Sequence, residues 1–218
     1  MADVLERVGW SVDFRSDQTC CGQPAFNSGH VTPAREVAAH FIRVFRDAEF
    51  IVVPSGSCVS MITHHYFDIF DRSSALFEEA EYLAPRVWEF SRFLTDVVGV
   101  EDVGARFEGV VTYHDSCHAL RELQIKEAPR RLLSNVQGLT LREMSAAGEC
   151  CGFGGAFSVK FAEISGGMAR TKIESILETG AGTVVSIDSS CLMQIQGALA
   201  RAGVDVRTMH LAEVLASR

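Results

Sequence analysis

Cys20-Cys21-Gly22-Gln23-Pro24-Ala25-Phe26-Asn27-Ser28 and Cys150-Cys151-Gly152-Phe153-Gly154-Gly155-Ala156-Phe157-Ser158 are two versions of one segment. Their surroundings repeat as well. Each is followed by a stretch with apolar residues at near-helical spacing: Val37, Phe41, Val44 and Phe45 within Pro33–Asp47, and Met168, Ile173, Ile176 and Leu177 within Ser165–Glu178. A short β-rich run comes next, Phe50-Ile51-Val52-Val53 in one half and Thr183-Val184-Val185-Ser186-Ile187 in the other. Both runs end in a serine-rich turn with a cysteine, Ser55-Gly56-Ser57-Cys58 and Ser189-Ser190-Cys191. Cys21 and Cys58 are 37 positions apart, Cys151 and Cys191 40. A strand-to-helix piece closes each half, Val87–Leu94 and Val206–Leu215. Cysteine turn, helix, strand and cysteine in one fixed order, twice, make an internal repeat.

Strands that alternate with helices and read as continuously apolar predict an α/β fold of two pseudo-repeated halves, each a small parallel-sheet βα unit with a CCG turn. In such sheets the working groups gather at the carboxyl ends of strands, which is where Cys58, Cys117 and Cys191 stand. The expected first repeat is 1–100 and the second 105–218, joined near Asp96–Arg106 with its Gly99 and Gly104. His65–Pro85 has no counterpart and reads as a helical insertion. The second half opens with the strand Gly109-Val110-Val111-Thr112-Tyr113, which runs into His114-Asp115-Ser116-Cys117-His118. A helix over about Ala128–Asn135 and a strand over Leu139–Met144 lead from there to its Cys-Cys-Gly. The first half begins inside the equivalent helix, Val4–Val8, so the repeat predicts a further strand and cysteine roughly 13 residues ahead of Met1.

The chain has 218 residues, 47% hydrophobic and 22% charged, enough for a core without covalent staples. A net charge of −8 with no basic run argues against nucleic acid. The longest apolar runs are too short to span a bilayer, and MADVLERVGW has early acids and no hydrophobic signal core. The expected location is cytoplasmic, with any peripheral membrane contact made through partners. The seven cysteines then read as free thiols and metal ligands rather than disulfides.

Cys117, Cys150, Cys151 and Cys191 form a complete ligand set, and Cys20, Cys21 and Cys58 a set of three. Four thiolates suit zinc or an iron–sulfur cluster. The vicinal pair favours a cluster: adjacent residues seldom place both sulfurs on one tetrahedral zinc, whereas a cluster offers them different irons. Gly152, Gly154 and Gly155 let the backbone come close to a bulky inorganic core. His114 and His118 flank Cys117 and read as loop-orienting residues or donors to cluster sulfur in preference to ligands. His30 and His64-His65 read as surface or packing residues with some claim on the open position of the first site. Lys160, Arg170 and Lys172 are read as solvated cations near the second site. Gly152-Phe153-Gly154-Gly155 lacks the spacing and lysine of a phosphate loop. No catalytic residue, flavin site or nicotinamide site is evident.

CCGxxxxF(N/S)S followed by PSGSC, together with YHDSCH, ECCGFGG and SSC, resembles the cysteine-rich CCG family, over essentially the whole chain. That family includes the cysteine-rich subunit of heterodisulfide reductase and the iron–sulfur subunit of glycolate oxidase; the nearest type is lactate utilization protein A, two CCG halves without a separate ferredoxin domain. The resemblance implies that the seven cysteines hold iron–sulfur clusters, of the 4Fe-4S kind. It also implies electron transfer as an oxidoreductase subunit in L-lactate oxidation to pyruvate, with a ferredoxin-like iron–sulfur protein and a third small protein as partners. A glycolate- or heterodisulfide-linked reductase subunit and a zinc-binding structural module are the alternatives. The fuller family pattern ends in C-x-x-C, but Met61 and Gln194 occupy those last positions here, which favours four ligands per site over a larger noncubane cluster.

Overall fold

A computed structural model describes residues 1–218. In chain order the helices and strands are α1 (Ala2–Arg7), α2 (Gln23–Asn27), α3 (Val31–Phe45), β1 (Ile51–Val53), α4 (Gly56–Ser60), α5 (Tyr66–Ile69), α6 (Ala75–Leu83), β2 (Val87–Glu89), α7 (Phe90–Arg92), β3 (Arg106–Tyr113), α8 (Cys117–Arg121), α9 (Glu127–Ser134), β4 (Gln137–Leu141), α10 (Ala156–Lys160), α11 (Ala162–Glu178), β5 (Thr183–Ser186), α12 (Ser189–Arg201), β6 (Arg207–His210) and α13 (Leu211–Ala216).

All strand pairs are parallel, as the α/β reading expects. The larger sheet has the order β4-β3-β5-β6, with Val111 opposite both Leu141 and Thr183, and Val185 opposite Met209. The smaller sheet pairs β1 with β2 from Ile51↔Val87 to Val53↔Glu89. Every residue of β5 is buried, so its valines need no polar alternation. The strand expected over Leu139–Met144 lies at Gln137–Leu141 instead. After Leu141 the chain leaves the ladder: the Arg142 N–H still reaches Val111 O at 2.8 Å, but Ala147 O already accepts from Asp115 N at 3.1 Å. Residues 142–149 thus form the loop that carries the second cysteine pair.

The insertion is helical. Tyr66, Ile69, Phe70, Ala80 and Leu83 of α5, α6 and their connection pack on Ala38, Phe41 and Ile42 of α3. A separate core of 20 buried residues joins the two halves, uniting Val4, Leu5, Phe90, Phe93 and Leu94 with Val111, Val185, Leu211 and Leu215. Arg7 ties α1 to the last helix by donating to Val103 O, Leu215 O and Ala216 O at 2.9–3.2 Å. Where the halves meet over the cysteines, α4 passes so close to α8 that a Cβ on Gly56 would lie 2.6 Å from the Ala119 Cβ.

Glu89 ends β2 and caps α7. Its Oε2 accepts from the Ser91 N–H at 2.9 Å, the Arg92 N–H at 3.2 Å and the Ser91 hydroxyl, while Oε1 has no partner. Burial pushes this carboxyl up to about 7, against the opposing hydrogen bonds from Ser91 and Arg92. The folded chain therefore keeps a proton that the unfolded chain releases near 4.5, so this contribution to stability is complete below that pH and lost as pH rises towards 7. Its size is about 3 kcal/mol from the width of that window. In urea unfolding, Glu89→Gln is expected to match the parent protein at pH 5 and to exceed it at pH 8 by up to about 3 kcal/mol. A constant difference at both pH values would contradict the assignment.

Candidate metal centre

The order of the larger sheet builds the second cysteine group. β3 lies between β4 and β5, and the connections leave in opposite directions, which opens a crevice beyond their carboxyl ends. Cys150 and Cys151 come from the loop after β4, Cys117 starts α8 after β3, and Cys191 lies in the first turn of α12 after β5. The thiols are neighbours in series, each perturbing the ionisation of the next: Cys117 with Cys150, Cys150 with Cys151, and Cys151 with Cys191. His114 stands at one end of this series: its ring nitrogen and the sulfurs of Cys151 and Cys191 all lie within 4.8 Å of one another, a group that does not include Cys117 or Cys150.

The CCG turn is built identically in both halves. The Gly152 N–H donates to Cys150 Sγ at 3.3 Å, and the Gly22 N–H to Cys20 Sγ at 3.4 Å. Both glycines have left-handed φ, +85° and +91°. Each also lies against helix backbone: an added Cβ would come within 2.7 Å of Ser165 O at Gly152 and 3.1 Å of Ala34 O at Gly22. Only glycine satisfies both demands.

In the first group Cys21 is buried and touches Cys58, with Cys20 exposed on the same turn and the Tyr66 hydroxyl donating to Cys21 O at 3.0 Å. Of the histidines considered for its open position, His65 is held by other side chains. His30 and His64 are exposed, and the ring of His65 meets Asp68 at 3.1 Å and Glu122 at 3.3 Å while packing on Phe26. His118 stands between the groups, its Nδ1 3.6 Å from Cys117 Sγ and its Nε2 3.4 Å from the Gln23 amide nitrogen.

Within these contacts the thiols divide into donors and acceptors. Cys58 is lowered to about 7, chiefly by the hydrogen bond from Cys21, with burial opposing. Cys191 is lowered to about 6, chiefly by the hydrogen bond from Cys151, with burial opposing and His114 assisting. Cys21, Cys117 and Cys151 are pushed up, in each case first by the neighbouring thiol. Buried thiols this close cannot all ionise against one another. A cationic group bound among them removes that conflict and converts every one to a thiolate ligand. The donor set therefore fits a metal.

Four supporting residues emerge from the structure. Asp188, buried at the end of β5, accepts at Oδ1 from the Ser55 hydroxyl at 2.6 Å, the Ser57 hydroxyl at 2.7 Å and the Ser57 N–H at 3.3 Å, and at Oδ2 from the Ser116 hydroxyl. One side chain thus holds the loops of Cys58, Cys117 and Cys191. Lys172 does not lie on the solvated face expected for it, although Lys160 and Arg170 are exposed. It is 1% exposed and donates to Ala146 O and Ala147 O, bracing the loop before Cys150. Gln194 donates to the Ser165 hydroxyl at 3.0 Å, and Ser165 in turn donates to Gly152 O at 2.7 Å. Met61 is fully buried in the core around α3. The two positions where the family pattern ends in cysteine are thus filled by a turn support and a core residue.

Residues 1–63 and 111–196, which contain all seven cysteines, match the CCG cysteine-rich domain family. The chain belongs to that family. It is 49% identical over 216 residues to lactate utilization protein A of Bacillus cereus strain G9842, a match covering 99% of this chain and 90% of that relative. Lactate utilization protein A of Bacillus thuringiensis strain Al Hakam is 48% identical over the same spans. No helix of this CCG-family chain is long and apolar enough to cross a membrane. Neither identity nor composition marks Asp188 out; the cue in the sequence is its place between a β-rich run and Ser189-Ser190-Cys191.

Asp188→Ala leaves three serine hydroxyls without their acceptor, so a loss of about 3 kcal/mol in unfolding free energy is expected. Thiol-labelling rates should rise at Cys58 and Cys191 together, read by mass spectrometry of the digested protein. Faster labelling at only one of them would show that Asp188 does not hold both loops.

Proposed function

We propose that this CCG-family protein is the iron–sulfur, electron-carrying subunit of a complex that oxidises L-lactate to pyruvate. The carrying observation is the unbroken series of four thiols, Cys117-Cys150-Cys151-Cys191, at the carboxyl edge of a parallel sheet. In this reading those four cysteines hold one 4Fe-4S cluster, and Cys20, Cys21 and Cys58 contribute to a second. An iron–sulfur cluster supplies a one-electron carrier. Support for a cluster over zinc comes from the vicinal cysteines: each of the pair neighbours a different outer thiol, an arrangement that suits ligands to separate irons. The structural duty of Gln194, which takes the last position after Cys191, supports four ligands at the second site.

The protein's own residues shape the site. The Gly152 and Gly22 N–H groups donate to the first sulfur of each pair and stabilise its thiolate. Asp188 and Lys172 hold the cysteine loops in place, and burial of Cys151 and Cys191 keeps water from the inner side. Lactate oxidation removes two electrons and two protons. With no flavin or nicotinamide site of its own, the chain takes electrons from partners, a ferredoxin-like iron–sulfur protein and a third small protein, working in the cytoplasm. The lactate link is drawn from the names of the relatives.

The test is anaerobic purification followed by metal and sulfide analysis. Iron and acid-labile sulfide in equal amounts, with visible absorption that dithionite bleaches, are expected, and Cys191→Ser should lose the second-site share. A strain lacking the protein should fail to grow on L-lactate and recover when it is restored. A colourless preparation with stoichiometric zinc contradicts the cofactor; unimpaired growth on lactate contradicts the pathway.

A further inference from the structure

His114 is the chain's one fully buried histidine, 0% exposed at the carboxyl end of β3. Its backbone N–H continues the sheet by donating to Val185 O at 2.9 Å, which fixes the direction of the side chain. Yet neither ring nitrogen has a hydrogen-bond partner in the folded chain. Burying an imidazole in that condition is costly, and native interiors seldom tolerate it. The two polar side chains that follow His114 are already committed. Asp115 holds Arg130 through two contacts at 2.6 and 3.1 Å, and the Ser116 hydroxyl donates to Asp188. What stands beside the ring is sulfur: a ring nitrogen and the Sγ atoms of Cys151 and Cys191 all lie within 4.8 Å of one another.

The half-buried His118 gives the contrast: its two ring nitrogens face Cys117 and Gln23, so its position needs no further group. Four thiols already suffice for four irons, which leaves no iron position that calls for an imidazole. We propose that His114 is a positioning residue that donates a ring N–H to Cys191 Sγ on the buried side of the second cluster. The bond withdraws electron density from that thiolate, favours the reduced cluster and raises its reduction potential. It also holds Cys191 in ligating orientation. This proposal rests on the iron–sulfur reading above.

The experiment uses the anaerobically purified, cluster-loaded protein grown with ¹⁵N-histidine, reduced with dithionite and examined by electron–nuclear double resonance. Expected are a weak histidine nitrogen coupling and a proton coupling that disappears in D₂O. Both should persist in His118→Gln and vanish in His114→Gln. In His114→Gln the second cluster's potential should fall, and a chelator should strip its iron at a roughly 10–100-fold lower concentration. A strong nitrogen coupling, the mark of imidazole bound to iron, overturns the donor role. So does the absence of any histidine coupling, or its loss in His118→Gln. Should His114→Gln fail to fold, the labelled parent and His118→Gln decide the question alone. Protein without iron overturns this inference together with the cofactor reading, whereas iron present without the coupling overturns this inference only.

Discussion

The two cysteine groups depend on one buried carboxylate. Asp188 receives hydrogen bonds from Ser55, Ser57 and Ser116, and so binds together the turns that follow β1, β3 and β5. Each of those turns ends in a cysteine. A polar group taken out of water must be matched by donors, and here the donors come from both halves of the repeat. The match restricts how the halves can sit against each other. The close passage of Gly56 by Ala119 and the Gln23–His118 contact then follow at the same seam. His210 reinforces it, since its Nε2 lies 3.0 Å from Pro54 O and 3.1 Å from Ile187 O, one carbonyl from each half.

Parallel sheets suit this purpose for a physical reason. Their strand ends lie side by side, so loops that are far apart in sequence emerge together, and each helix that follows fixes the direction of its first residues. Cys117 and Cys191 both stand at such helix starts. The cysteine pair comes instead from a left-handed glycine turn pressed against α11, a rigid backbone that can present two adjacent sulfurs to different neighbours. Sulfurs held in contact before any cation binds repel one another once ionised, and binding a cation relieves that repulsion.

Much of this is legible in the sequence because it is carried by pattern. The duplicated CCG segment, the apolar runs of β1 and β5 and the helical spacing of α3 and α11 are local signals, and the fold follows them. The cysteines declare themselves through their number and order. The supporting residues do not, because their roles arise from contacts distant in sequence. Asp188 meets Ser55 across 133 positions. Lys172 looks like a surface lysine until the loop before Cys150 folds over it, and only burial separates His114 from His118. The end of β4 is hidden for a related reason: Glu143 and Met144 continue an extended pattern, but the chain turns there to deliver the cysteine pair.

In the proposed centre, thiolates from three sequence-distant turns share one inorganic cluster. Anomalous diffraction at the iron edge, from crystals of the anaerobically purified protein, tests this most directly. The expected result is a cluster of iron peaks bonded to the sulfurs of Cys117, Cys150, Cys151 and Cys191, with the His114 ring against Cys191. Iron elsewhere on the chain, or a single metal ion that leaves Cys117 unattached, would contradict it.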